Sequence, residues 1–227
     1  MRYMLEAVIF DMDGVLIDTE KFYMRSEQQI VAEYGIDVPA SHFTKYCGTT
    51  QDYIWQNIKD EFNLPASLEQ LKEIAPIYLE KLFDTEGVTM IDGIPELLAE
   101  LSASPLKLAV ASSTKQALIH KHLSSIGLSD YFDVMESAEN VKHSKPAPDV
   151  FLKTAELLGV NPENCLVIED SSNGVKAAKN AGMVCIAFKN PEFPSQDTRL
   201  ADLEVTHIKD ITLARCYQLY DQTVSGK

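Results

Sequence analysis

The sequence predicts an α/β fold: a doubly wound parallel sheet of the Rossmann-like kind, carrying one all-helical insert. Three observations point there. Short apolar runs with β-branched content, Ala7–Phe10, Leu106–Ala111, Cys165–Ile168 and Met183–Phe188, have the length and uniformity of strands buried on both faces. Between them lie segments with helical periodicity, and strand–helix alternation implies a parallel sheet with helices on both sides. Residues 18–87, by contrast, show helical spacing and no convincing alternation. The expected organisation is therefore an α/β core of residues 1–17 and 88–227, with residues 18–87 as a separate helical domain inserted after the first strand.

In chain order, the first strand ends at Phe10. A helix is expected over Thr19–Tyr34, with Phe22, Tyr23, Ile30, Val31 and Tyr34 on its apolar face and Gly35 closing it. A short helical piece at His42–Tyr46 follows. Gln51–Phe62 comes next, with Ile54, Trp55, Ile58 and Phe62 at helical spacing, and then Leu68–Phe83, which Pro76 should kink or divide. Aromatic residues here could form a stacking surface, but at this spacing they read as bundle core. Past Thr89 the expected elements are a helix at Ile94–Leu101, a strand at Leu106–Ala111, a helix at Lys115–Ile126 and a weaker strand at Phe132–Met135. A helix opening at Lys145–Asp149 and running to Leu158 precedes the strand Cys165–Ile168. A helix at Gly174–Ala181, the strand Met183–Phe188, an edge strand at Leu203–Ile208 and a last helix at Ile211–Tyr220 complete the chain.

The formal net charge is −14, which disfavours phosphate backbones and anionic lipid as partners, so neither nucleic acid nor membrane is expected. It leaves room for a small anionic substrate, since a metal and a few local cations reverse the potential inside a cleft. Cys47, Cys165, Cys185 and Cys216 are scattered without a metal or disulfide pattern, which suits a reducing compartment. With no signal-peptide profile at Met1–Glu6 and no apolar stretch of membrane-spanning length, the expectation is a cytoplasmic protein; a monomer is expected without any observation that bears on it.

Four polar clusters follow the apolar runs or the loops between them: Asp11/Asp13, Ser112-Ser113, Lys145 and Glu169-Asp170. In a doubly wound sheet the carboxyl ends of the strands share one edge, so residues this far apart in sequence can meet. In an extended chain Asp11 and Asp13 face the same way, and two like charges so placed call for a divalent cation or shared protons. Acids for a hard cation, a hydroxyl with backbone donors nearby and one lysine are what phosphoryl transfer needs. Each has a plainer reading. Ser112 could cap a helix, Lys145 could be a solvated lysine, and Glu169-Asp170 could be surface acids. Asp149 reads as structural, in a first helical turn. His120 and His122 do not share a helix face.

Together these strings resemble the haloacid dehalogenase superfamily of phosphohydrolases. Asp11-Met12-Asp13-Gly14-Val15 matches its first motif and Val110-Ala111-Ser112 its second. Lys145-Pro146-Ala147-Pro148-Asp149 matches the third, and Glu169-Asp170-Ser171-Ser172-Asn173-Gly174 the fourth, in family order. The insert after the first motif matches the family's helical cap, so the resemblance covers essentially the whole chain. It implies Asp11 as the nucleophile that becomes aspartyl-phosphate and Asp13 as general acid and then base. It implies Mg²⁺ held by Asp11, the Asp13 carbonyl and Asp170, with Glu169 binding directly or through water. Ser112 and Ser113 would grip phosphoryl oxygens, and Lys145 would neutralise nucleophile and phosphate together.

Within the family the chain resembles the branch of sugar phosphatases and beta-phosphoglucomutase. Asp13 argues against a dehalogenase proper. Tyr23 stands where the mutase carries a histidine, and Cys47-Gly48-Thr49-Thr50-Gln51 replaces its K-G-x-x-R string without either cation, which favours a hydrolase. Gly48, Thr49, Thr50 and Gln51 are expected to face the substrate from the cap. The expected function is Mg²⁺-dependent hydrolysis of a small phosphomonoester, a sugar phosphate above all. The alternatives are a phosphosugar mutase, a phospho-receiver module or a binding protein on an inactive scaffold.

Overall fold

No side chain of the strand β1 (Ala7–Phe10) reaches solvent, so it belongs where both faces of a sheet are covered. In the computed structural model, which describes residues 4–47, 49–194 and 196–225, it lies at the centre of a parallel sheet. β2 (Lys107–Ser112) and β4 (Cys165–Glu169) pair with it on either side. β3 (Val134–Ser137) flanks β2, and β5 (Val184–Phe188) and β6 (Leu203–Val205) continue beyond β4. The order among the described residues is β3-β2-β1-β4-β5-β6, the doubly wound arrangement whose direction reverses between β1 and β4. Phe10 stands opposite both Val110 and Ile168, so Asp11, Ala111 and Glu169 reach the carboxyl edge at one level.

Period-two alternation divides the strands between two faces. Ala7, Ile9, Ala109, Ala111, Cys165, Val167, Cys185 and Ala187 form one core with α6 (Asp149–Leu158) and α7 (Ser172–Asn180). Val8, Phe10, Leu108, Val110, Leu166 and Ile168 are equally buried on the other face. There α4 (Ile94–Ser102) packs on β2 and α8 (Leu213–Ser225) on β5, while α5 (Gln116–Ser125) packs on β3. Full burial of each large apolar side chain contributes about 1.5–3 kcal/mol, and that is what holds the layers together. Two strands differ from expectation by more than one residue. β3 runs from Val134 to Ser137 in place of Phe132–Met135; just before it, Asp133 is tied to β2 by its backbone N–H to Leu108 O and by its carboxylate, which accepts Leu108 N–H. β6 stops at Val205, where the chain leaves the sheet edge for a single 3₁₀ turn at Ile208–Asp210.

The chain forms two units, one of Met1–Asp18, Thr89–Pro191 and Gln196–Lys227, the other of Thr19–Val88 with Glu192–Ser195. Inside the first unit, Asp18 N–H donates to Thr89 O at 2.8 Å and Ile17 bridges Met90 in antiparallel fashion, which sets the exit and return of the insert side by side. The second unit is helical: α1 (Glu20–Ala32), a 3₁₀ segment (Ala40–Tyr46), α2 (Gln51–Phe62) and α3 (Leu68–Glu86). Trp55 lies in its core among Ile30, Val31, Phe43, Ile58 and Leu71. The apolar face of α1 is narrower than its spacing suggests, since Tyr34 is exposed while Ser26 and Glu27 are buried. Pro76 does not divide α3, which runs unbroken to Glu86. A proline inside a helix costs about 3 kcal/mol; burial of Leu71, Ala75, Leu82 and Phe83 and a Ser67–Gln70 capping box oppose that cost. No helix of the described residues is long and apolar enough to cross a membrane.

Candidate active site

Strand ends carry the site. Asp11 continues the β1–β4 pairing through its N–H to Ile168 O at 2.9 Å, and this fixes its backbone beside Glu169, the last residue of β4. Lys145, from the turn before α6, extends beneath both. Its Nζ donates to Asp11 Oδ1 at 2.5 Å, Glu169 Oε1 at 2.9 Å and Ala111 O at 3.2 Å, and it lies over the Phe151 ring, 4.8 Å from the centroid. The side chains of Lys145, Asp11 and Glu169 are 6%, 9% and 1% exposed, so these charges interact with little screening from water. Glu169 Oε2 also accepts Ser171 N–H at 2.6 Å, and Ser171 caps α7 through Gly174 N–H.

Oxygens of Asp11, Glu169 and Asp170 all lie within 4.8 Å of one another. Two glycines make the gathering possible. Gly14 has φ +83°, and any Cβ there would collide with the Asp170 carboxylate; a Cβ at Gly174 would collide with that of Glu169. Hard oxygen donors converging in space cleared of side chains, with Lys145 supplying one positive charge against three carboxylates, suit a small divalent cation such as Mg²⁺.

The two acids of the first motif do not share one spot. Asp13 stays outside the carboxylate cluster and turns to hydroxyls: its Oδ2 accepts Thr114 Oγ1 at 2.6 Å and Ser112 Oγ at 3.4 Å. Bends at Met12 and the turn beginning at Gly14 break the extended geometry that would have aligned them. Burial pushes the Asp11 carboxyl up to about 7, with the neighbouring carboxylates of Glu169 and Asp13 adding to it and Lys145 opposing. Burial raises Asp13 as well, against the Thr114 bond. Burial alone would lower Lys145, but Asp11 and Glu169 outweigh it and hold the ammonium above its ordinary value.

Asp11, Asp13, Ser112, Lys145, Glu169 and Asp170 therefore come together at the carboxyl edge, at the reversal point between β1 and β4. Ser113 is exposed in the turn after β2. The remaining candidates lie in the helical unit. Gly48 is outside the described residues. Thr49 Oγ1 donates to Tyr46 O, Thr50 caps α2 by accepting Tyr53 N–H, and Gln51 Oε1 accepts the Trp55 indole N–H. These three hydroxyl and amide groups form the turn into α2. Thr114 was not singled out in the sequence, although it lies two residues beyond Ser112, where the second motif ends.

A model of the haloacid dehalogenase-like hydrolase family matches residues 8–188. The chain is 35% identical over 179 residues to a phosphorylated carbohydrates phosphatase of Thermotoga maritima, covering 79% of this chain and 82% of that one. It is 32% identical over 212 residues to hexitol phosphatase B of Escherichia coli K12, covering 91% and 94%. It also matches 18% of the length of the much longer Suppressor of quenching 1 protein of Arabidopsis thaliana, at 36% identity. Among solved structures, beta-phosphoglucomutase of Clostridium difficile superposes with a TM-score of 0.76 at 27% identity, over 98% of this chain and 100% of that one.

Proposed function

Because the chain belongs to the haloacid dehalogenase-like hydrolase family, we propose that it is a phosphatase of small phosphomonoesters, sugar phosphates foremost, acting through an aspartyl-phosphate on Asp11. One observation carries this reading: two acids two residues apart have opposite surroundings. Asp11 sits among Lys145 and the carboxylates of Glu169 and Asp170, as a nucleophile and metal ligand must. Asp13 is held apart on hydroxyls, its carboxyl available for proton transfer.

Asp11 attacks phosphorus while Lys145 offsets the charge on its carboxylate. Asp13 gives a proton to the departing oxygen, then takes one from the water that hydrolyses the phospho-aspartate. Ser112 and the backbone N–H groups of the turn after β2 receive phosphoryl oxygens. Asp11, Asp170 and the Asp13 carbonyl would hold Mg²⁺, with Glu169 beside them. When bound, that ion supplies positive charge for the phosphoryl oxygens. The two phosphatases above act on phosphorylated carbohydrates and hexitols by name, and this supports a sugar or polyol phosphate as the substrate class.

The test is Mg²⁺-dependent hydrolysis of p-nitrophenyl phosphate, followed by a panel of sugar phosphates. Asp11→Asn should lower kcat by at least about a thousandfold, the order expected on losing a nucleophile. Turnover unchanged in that variant would refute the reading. The likeness to the mutase structure favours a second reading, a phosphosugar mutase. It predicts glucose 6-phosphate from beta-glucose 1-phosphate with a trace of the 1,6-bisphosphate. The hydrolase reading predicts inorganic phosphate instead.

A further inference from the structure

Asp13 meets a framework that spans two loops. Thr114 Oγ1 donates to its Oδ2 at 2.6 Å, and Thr114 is itself fixed at both backbone polar groups. Its N–H donates to Ser112 Oγ at 3.0 Å, and its carbonyl accepts Ser137 Oγ at 2.7 Å. Ser137, fully buried at the end of β3, accepts Glu139 N–H at 3.1 Å; Glu139 Oε2 in turn accepts Gln116 N–H at 2.7 Å. The turns after β2 and β3 are thus joined around one hydroxyl, and that hydroxyl points at one oxygen of one acid. A threonine hydroxyl has a single hydrogen, and this one is committed to Oδ2.

We infer that Thr114 is a positioning residue that orients Asp13 for proton transfer, with Ser137 as its brace. Oδ2 is kept as an acceptor, so the transferable proton resides on Oδ1. This rests on the phosphatase reading. In the first step the bond from Asp11 to phosphorus forms and the bond from phosphorus to the leaving oxygen breaks, and that oxygen takes the proton from Asp13 Oδ1. In the second step water oxygen bonds to phosphorus and the Asp11 oxygen leaves; the water proton passes to Asp13 Oδ1. Asp13 ends as it began. A hydroxyl that only tied the loops together would affect every substrate alike, whereas an orienting role depends on how much the leaving group needs a proton.

The experiment is pre-steady-state phenolate release, with Mg²⁺, from two aryl phosphates. The phenolate of 2,4-dinitrophenyl phosphate leaves without a proton; that of phenyl phosphate does not. Thr114→Val should slow release from phenyl phosphate by about 10- to 100-fold, part of the usual contribution of general acid catalysis, and leave dinitrophenyl phosphate within about twofold. Thr114→Ser should restore both. Ser137→Ala, which removes a hydroxyl that bonds Thr114 O and Glu139 N–H rather than Asp13, should move the same ratio in the same direction and covers the case in which Thr114→Val does not fold. Equal losses on both substrates, or none on either, with a normal wild-type enzyme, would overturn the assignment alone. Absence of Mg²⁺-dependent release from the wild type would overturn the phosphatase reading and the assignment with it.

Discussion

At the scale of single residues, the site is governed by where charge is buried. Lys145 holds Asp11 and Glu169 together with almost no water present, and each carboxylate depends on it for compensation. A buried ion pair is weak evidence of net stability, but removing one partner strands the others. Lys145→Met, which keeps the stem and loses the charge, should therefore lower stability by about 3–5 kcal/mol in urea denaturation without Mg²⁺. Retained stability in that variant would refute the dependence of this buried cluster on the Lys145 charge. The motif residues were legible as residue types, because phosphoryl transfer needs those groups. Which acid meets which partner was not legible. The separation of Asp11 from Asp13 depends on a bend at Met12 and on hydroxyls contributed from after β2.

At the scale of elements, α1 carries the clearest anomaly. Its buried face includes Glu27, whose carboxyl is pushed up to about 8, first by burial and then by the nearby Glu20. The folded protein keeps this proton up to about pH 8, while the unfolded chain releases it near the ordinary value of 4.5. Stability should thus be full below about pH 4.5, fall as pH rises between the two values, and level off above, with a slope of at most about 1.4 kcal/mol per pH unit. Glu27→Gln should flatten that slope and raise stability at pH 8. The fluorescence of Trp55, the one tryptophan, sits in the core of the same unit and reports its urea midpoint. Parallel midpoints for the two proteins between pH 5 and 8 would show that Glu27 is ionised when folded. Periodicity identified α1 and its limits to within two residues, yet placed Tyr34 inside and overlooked Glu27. A hydrophobic pattern cannot register an acid buried by its neighbours in space.

At the scale of the whole molecule, the metal-ligand candidates all belong to the α/β unit, and the helical unit carries the tryptophan. A cation that binds only the folded state stabilises it by mass action, by about 2.7 kcal/mol at a hundred times its Kd. Mg²⁺ should accordingly raise the thermal midpoint followed by far-UV circular dichroism, and EDTA should reverse the gain. Asp170→Asn should lose most of the shift. An identical shift in wild type and variant would place the ion elsewhere.

The sequence by itself determined the parallel α/β core, the helical insert after β1 and the polar motifs at the strand ends, because strand burial, helical period and motif spacing are local properties of the chain. Strand order, β3-β2-β1-β4-β5-β6, and the register that levels Asp11 with Glu169 agree with the sequence-based expectation that these groups share one edge. Tertiary structure alone decided the rest. It placed Thr114 and Ser137 behind Asp13, cleared room for the Asp170 carboxylate at Gly14 and for that of Glu169 at Gly174, buried Glu27, and carried α3 through Pro76. Each of these is a contact between segments distant in sequence, or a local cost offset by packing, and neither leaves a mark in the order of residues along the chain.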